Sequence, residues 1–178
     1  MNYKSIKGCK VIEINTFTDN RGFFKKTFNS DILKRYGLNL NIKESYTSGS
    51  KKNVIRGMHF QVPPFSHKKA IACISGKALD VVLDMRVNSP TYGHVNSFKL
   101  DAEDNKLLFL EEGLAHGFIA LENKTLLQYF LSSVYSEKHD KGVKWNSIKF
   151  NWGLAKPIVS KRDEELPEFT NYNSPFYI

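Results

Sequence analysis

An all-β sandwich or barrel is the fold class this sequence predicts, on three observations. Short apolar runs recur at intervals of about ten residues, the spacing of strands in a sandwich or barrel. The connections between them carry glycine, asparagine or proline, as in Asp19-Asn20-Arg21-Gly22, Ser75-Gly76-Lys77 and Ser89-Pro90-Thr91-Tyr92-Gly93. Only one early stretch reads as a helix.

Val11, Ile12 and Ile14 precede Phe17 to Phe24, and the turn residues at 19–22 predict two strands joined there. Ser30 to Tyr36 has an N-cap at Asn29 or Ser30 and stops at Gly37, which predicts one short helix. Asn41 to Ser50 is polar and reads as a strand running into a loop. Ala70 to Ile74 and Ala78 to Met85, split by 75–77, read as a hairpin. In its second arm Leu79, Val81, Leu83 and Met85 share one face. Ala78, Asp80, Val82 and Asp84 share the other, which would line a polar cavity or face water. Val95 to Leu100, Leu107 to Leu110, Ala115 to Leu121 and Thr125 to Leu131 continue the series, the last with Leu127, Tyr129 and Leu131 on one side. From Ser136 onward the chain turns irregular, and its closing aromatic tail, Phe169 to Tyr177, is expected to pack over the barrel. One domain over 1–178 is expected, with the barrel at about 40–135 and a packing segment at about 136–178; a chain this long buries roughly 70% of its unfolded surface.

The first nine residues are polar and charged, and no apolar run approaches the roughly 20 residues of a membrane span. A cytoplasmic protein without membrane contact is expected. Cys9 and Cys73 lack metal-ligand or disulfide spacing. The formal charge of +8 is spread along the chain. Without a basic helix or an aromatic RNA-binding pattern, it points to a solvated surface or an anionic small ligand rather than to nucleic acid.

The stretch that carries chemistry is Asn53 to Lys69. It sets Arg56, Gly57, His59 and Gln61 in an apolar run, breaks at Pro63-Pro64, and ends at Lys69. Strict alternation would put Ile55, Gly57, His59 and Gln61 on one face. A bulge at Gly57 would turn Arg56 to the histidine side. His116 is a second histidine in strand-like context, while His67, His94 and His139 lie in polar segments of the kind that is usually exposed.

The set Phe17-x-Asp19-x-Arg21-Gly22-x-Phe24, Ile55-Arg56-Gly57-Met58-His59-Phe60-Gln61, Lys69-x-Ile71, Gly76-x-x-x-Asp80-Val81-x-x-Asp84-x-Arg86-x-x-Ser89-Pro90-Thr91-Tyr92-Gly93, Gly113-x-Ala115-His116-Gly117-Phe118 and Ser160-x-x-Asp163 closely resembles the dTDP-4-dehydrorhamnose 3,5-epimerase family. The resemblance runs from about Phe17 to Asp163. It implies a cupin-like double-stranded β-helix, or jelly roll, with a short early helix and an irregular C-terminal segment, in a homodimer without metal or cofactor. Metal-binding cupins offer two histidines one residue apart and a glutamate soon after; here Gln61 follows His59 by two and no glutamate is near.

By position in the family's motifs, His59 looks like the base that removes a proton beside a sugar's 4-keto group, and Asp163 like its carboxylate partner. Lys69 looks like the cation beside the enolate, and Tyr129 like the acid on the opposite face. Such chemistry needs a base, an acid and a positive group, and histidine titrates near neutrality. Arg21 and Arg56 match arginines that meet the diphosphate. Phe24 matches an aromatic stacked on the base, in the family often from the neighbouring subunit. Gln61, Asp84, His116 and Tyr135 fall at pocket positions. Where the family commonly has Gln-x-Asn-x-Ser, this chain has Glu44, Tyr46 and Ser48, which opens two substrate classes, a dTDP-4-keto-6-deoxy-hexose and a GDP-4-keto-6-deoxy-heptose. Rival readings on the same barrel are a nucleotide-sugar 3,4-ketoisomerase and a non-catalytic sugar-nucleotide binder. Retention of an acid on the far face speaks for epimerisation.

Overall fold

Strands of four to eight residues with apolar residues on one or both faces cannot bury them alone, so they pair into sheets that pack face to face. The computed structural model describes residues 5–178. Among these lie twelve strands: β1 (Cys9–Glu13), β2 (Thr16–Asp19), β3 (Gly22–Lys25), β4 (Glu44–Ser50), β5 (Ile55–Gln61), β6 (Lys69–Ser75), β7 (Lys77–Asp84), β8 (Val95–Asp101), β9 (Lys106–Leu110), β10 (Leu114–Ala120), β11 (Thr125–Leu131) and β12 (Asp140–Gly142). Two short helices are α1 (Ser30–Arg35) and α2 (Lys161–Glu164). One sheet has the order β1-β9-β6-β11-β4 and the other β12-β5-β10-β7-β8, while β2 and β3 form a separate hairpin. The result is the expected all-β jelly roll.

Three apolar layers follow from the alternation. Ile71, Cys73, Val82, Leu108, Phe118, Leu127 and Tyr129 fill the space between the sheets. Ala70, Ala72, Leu107 and Phe109 point out of the first sheet and are covered by Ile32 and Leu33 of α1, whose first turn is capped by Asn29. Ile55, Met58, Phe60, Val81, Leu83 and Ile119 point out of the second sheet, where Ile148, Trp152 and Phe176 of the C-terminal segment cover them.

Three expectations need correction. Residues 75–77 are not a hairpin turn: β6 pairs with β9 and β11, and β7 with β10 and β8, so the chain changes sheets there. Gly76, at φ +67, takes the corner with its Cα against Thr125, and an added Cβ would come within 2.8 Å of that side chain's hydroxyl. The polar face of β7 meets neither water nor a wide cavity, because Asp80 and Asp84 are both fully buried with partners. In β5, Ile55 lies with Met58 and Phe60 on the outer face rather than with His59.

The last correction comes from a bulge. His116 pairs with His59 and Phe118 with Arg56, so β5 carries one more residue than β10 over this span. The extra residue is admitted at Gly57, φ +137, whose Cα packs against Gly117 of β10; a Cβ at Gly57 would sit 2.5 Å from that Cα. Gly117 is boxed in likewise by Met58 and the Arg56 carbonyl. Both glycines flanking the motif histidines are thus required by one close strand contact. Gly57→Ala is expected to lose at least ~2 kcal/mol of stability, since it adds a clash to a backbone angle that side chains rarely adopt. Urea unfolding beside the wild type measures it.

Candidate active site

With the bulge in place, Arg56, His59 and Gln61 face the space between the sheets. At one end of it a cavity of about 250 Å³ is lined by Tyr46, His59, Phe60, Gln61, His67, Lys69, Leu131, Tyr135, Asp140 and Arg162. Helix α2 completes one wall. Ser160 caps it by accepting the Asp163 N–H at 3.2 Å, and this places the Asp163 carboxylate, almost fully buried, against β5. Asp163 Oδ1 is 2.7 Å from His59 Nε2, and Oδ2 accepts the Gly57 N–H at 3.2 Å. Burial alone would raise the Asp163 pKa, but the bond and charge of His59, the Gly57 N–H and the charge of Arg162 hold it below the usual carboxylate value. A carboxylate on Nε2 leaves Nδ1 of His59 as the free basic nitrogen.

Tyr129 rises from the opposite sheet. It pairs in register with Tyr46, the two rings stack at 4.7 Å, and the edge of His116 meets it at 5.8 Å. Burial, with the nearby Tyr46 and Asp80, raises its pKa well above that of a free phenol, so its proton is firmly held. Ser48 Oγ is buried beside the Tyr129 hydroxyl, whose pKa it lowers against the effect of burial. Lys69 opens β6, fully within the protein, and donates to the His59 carbonyl at 3.1 Å. Burial lowers its pKa to about 8 against the pull of Asp140 and Asp80. Behind them His116 Nε2 meets Asp80 Oδ2 at 2.8 Å, while Asp80 Oδ1 has no partner. Burial pushes the Asp80 carboxyl up and the His116 imidazole down, each against its partner's pull.

Of the expected site residues, His59, Lys69, Tyr46, Gln61 and Tyr135 line the cavity; Asp163 stands behind His59 and Tyr129 behind Tyr46, with Ser48 and His116 beside Tyr129 and Arg56 near both tyrosines. Arg56 is held there by Ser50 Oγ at 3.1 Å and the Gly49 carbonyl at 3.0 Å. Glu44 accepts the Tyr135 N–H and so fixes the rim loop. Gln61 lines the cavity, but its amide is committed: its oxygen accepts the Ser136 N–H, and its nitrogen faces the Phe65 and Val134 carbonyls. It braces two loops rather than offering a free group.

Asp84 is a correction. It lies outside the cavity, fully buried, and binds Arg86, Ser89 and Thr91 at 2.7–2.9 Å, so its carboxylate anchors the loop after β7. The buried acid beside the site is Asp80, which sequence reading left unassigned although it shares a face with Asp84. Asp140 and Arg162, paired at 2.7 Å on the rim, and His67 were also missed; the first two carry no signal beyond ordinary surface charge. Arg21 and Phe24 do not reach the cavity within one chain. They sit on the β2–β3 hairpin, where Arg21 is paired with Asp19 at 2.6 Å and Phe24 is 62% exposed.

The jelly roll and the cavity between its sheets are those of an isomerase of the cupin-like class. The chain belongs to the dTDP-4-dehydrorhamnose 3,5-epimerase family, whose profile matches residues 3–171. It is 33% identical over 164 residues to the dTDP-4-dehydrorhamnose 3,5-epimerase of Shigella flexneri, spanning 90% of this chain and 91% of that one. A Legionella pneumophila dTDP-6-deoxy-D-glucose-3,5-epimerase, solved in complex with dTDP-4-keto-L-rhamnose, superposes with a TM-score of 0.92 at 25% identity, over 98% of this chain and 96% of the other. A 3'-monoepimerase from Streptomyces bikiniensis, solved with dTDP as a double mutant that changes one histidine and one tyrosine, gives 0.84 at 28% identity over 94% and 86%. No helix among the described residues is long and apolar enough to cross a membrane.

Proposed function

We propose that this chain inverts C3 and C5 of a nucleotide-diphosphate 4-keto-6-deoxy sugar. The observation that carries the reading is the placement of His59 on one sheet, with Asp163 of α2 behind it, and Tyr129 on the other. His59 Nδ1 takes the proton from the carbon beside the ketone, and the electron pair of that C–H bond moves onto the C4 oxygen as an enolate. The Lys69 ammonium stabilises that oxygen. As the enolate collapses, Tyr129 gives its proton to the opposite face, and the carbon is inverted; proton exchange with water then returns His59 to the neutral form and Tyr129 to the phenol before the second carbon reacts. The Streptomyces relative supports the two roles, because its altered histidine and tyrosine are spaced as His59 and Tyr129 are. Asp163 orients His59 and stabilises it once protonated.

Arg56 at the rim suits a diphosphate, since guanidinium is planar and permanently charged. The hairpin extends this. Phe17, Phe23 and Phe24 are all more than half exposed, beside Arg21. In a homodimer they would be covered by a second copy, with Phe24 and Arg21 meeting the nucleotide in its cavity. The bound ligands of the Legionella and Streptomyces relatives favour a dTDP-hexose. A GDP-4-keto-6-deoxy-heptose stays the second reading, because Tyr46 fills its position with a stacked ring and Glu44 is tied to the Tyr135 backbone. Supply of a deoxy sugar for a surface polysaccharide, in the cytoplasm, fits this chemistry and two free thiols.

Incubated in heavy water with freshly made dTDP- and GDP-linked 4-keto-6-deoxy sugars, the wild type is expected to place deuterium at C3 and C5 of the dTDP-hexose. His59→Ala should slow this by at least about 100-fold. Label at C3 alone would restrict the activity to a 3-epimerase, and no label in any sugar would refute the reading. A second expectation follows from Lys69. Its charged form is the active one and its pKa is lowered to about 8, so kcat should fall as pH rises through that value. Tyr129 titrates well above and should not contribute to this limb. A pH–rate profile flat to pH ~10 would contradict the role given to Lys69.

A further inference from the structure

His67 belongs to a polar segment, yet its ring lines the cavity beside Lys69 and His59. Its protonation is set by Gln61. The Gln61 amide can be oriented in one way only, because its oxygen accepts the Ser136 N–H at 2.6 Å and its nitrogen lies 2.9 and 3.0 Å from the carbonyls of Phe65 and Val134. That nitrogen is also 3.1 Å from His67 Nδ1. An amide nitrogen has hydrogens to give and no lone pair to receive one. His67 Nδ1 is therefore the acceptor, the ring is neutral, and its single N–H is on Nε2.

Nε2 is buried and has no hydrogen-bond partner among the described residues. A buried donor left unpaired is destabilising, and such groups persist where a ligand supplies the acceptor. Burial first, then the charges of Lys69 and His116, lowers the His67 pKa to about 3, so the ring stays neutral wherever the enzyme works. Neutrality matters for its neighbour. A second cation here would depress the Lys69 pKa further, whereas an N–H dipole adds a donor without that penalty.

We propose that His67 Nε2–H donates a hydrogen bond to the C4 oxygen of the substrate, forming with the Lys69 ammonium a two-donor site for the enolate. The proton stays on Nε2 throughout, and no bond to it is made or broken. This deepens the epimerase reading and rests on it. It also gives Gln61 a function: the amide that braces the two loops holds His67 in the donating tautomer.

The test compares His67→Leu, which removes the donor, with His67→Gln, which keeps one, using deuterium exchange into the dTDP-4-keto-6-deoxy-hexose. His67→Leu should lose about 100-fold in kcat, the effect of removing one oxyanion donor. KM should stay within about threefold, since the bond strengthens mainly as charge develops. His67→Gln should recover to within about tenfold of the wild type. Long-range proton–nitrogen NMR of the wild type provides a readout that does not depend on how the variants fold. It should show His67 with Nδ1 bare and Nε2 protonated, and the Nε2–H signal should move downfield with the keto sugar nucleotide but not with dTDP alone. Wild-type rates in His67→Leu, equal losses in both variants, or an Nδ1-protonated ring would overturn the proposal while leaving the epimerase reading intact. A wild type that exchanges no deuterium would overturn both.

Discussion

One extra residue in β5 decides what the barrel can do. Without the bulge at Gly57, alternation would place Arg56 and His59 on opposite faces of the sheet, one toward the C-terminal aromatic layer and one toward the barrel interior. With it, both point inward and Ile55, Met58 and Phe60 all point out. The bulge also frees the Gly57 N–H from the ladder to β10, and that N–H is taken by Asp163, the carboxylate that binds His59. A single backbone irregularity thus aims His59, supplies a donor to Asp163 and depends on a pair of touching glycines, Gly57 and Gly117, in adjacent strands.

Around that feature the site is built of buried polar groups whose needs are only partly met within the chain. Lys69, Asp80, His116 and Tyr129 are each nearly or fully buried, and each has its pKa moved by burial first. His67 Nε2 and Asp80 Oδ1 lack hydrogen-bond partners among the described residues. Polar groups are costly to leave in this state in a core, and they cluster where a ligand completes them. The second sheet brings His59, α2 brings its carboxylate partner Asp163, and the first sheet brings Tyr129 and Lys69, with the stiffness of two packed sheets keeping the two walls apart.

Much of this was legible in the sequence. Strand spacing and turn residues gave the all-β class, the capping residues Asn29 or Ser30 placed the start of α1 to within a residue, and Leu127, Tyr129 and Leu131 share one face as their alternation assigns, which proves to be the buried one. The possible bulge could be suspected from Gly57 alone. What could not be read was long-range. Ser75-Gly76-Lys77 looks like a hairpin turn because glycine serves equally well at a corner between sheets. Asp80 and Asp84 share a face and a residue type, and only the register against β10 puts the first beside His116 and the second against Arg86. His67 reads as exposed because its burial is imposed by Gln61 and the loops that Gln61 ties together. The short α2 was hidden in a charged run, although Ser160 and Asp163 were marked by resemblance, and the cap between them explains their spacing.

In the proposed mechanism His59 and Tyr129 act from opposite walls, so that removing a proton and returning one are separable acts. The measurement that tests it most directly is the fate of the substrate with Tyr129→Phe in heavy water, followed by NMR for both label and configuration. The account predicts that His59 still takes a proton and returns deuterium to the same face, so label enters while inverted product falls by at least about 100-fold. Loss of labelling and inversion together, or inversion at the wild-type rate, would contradict it.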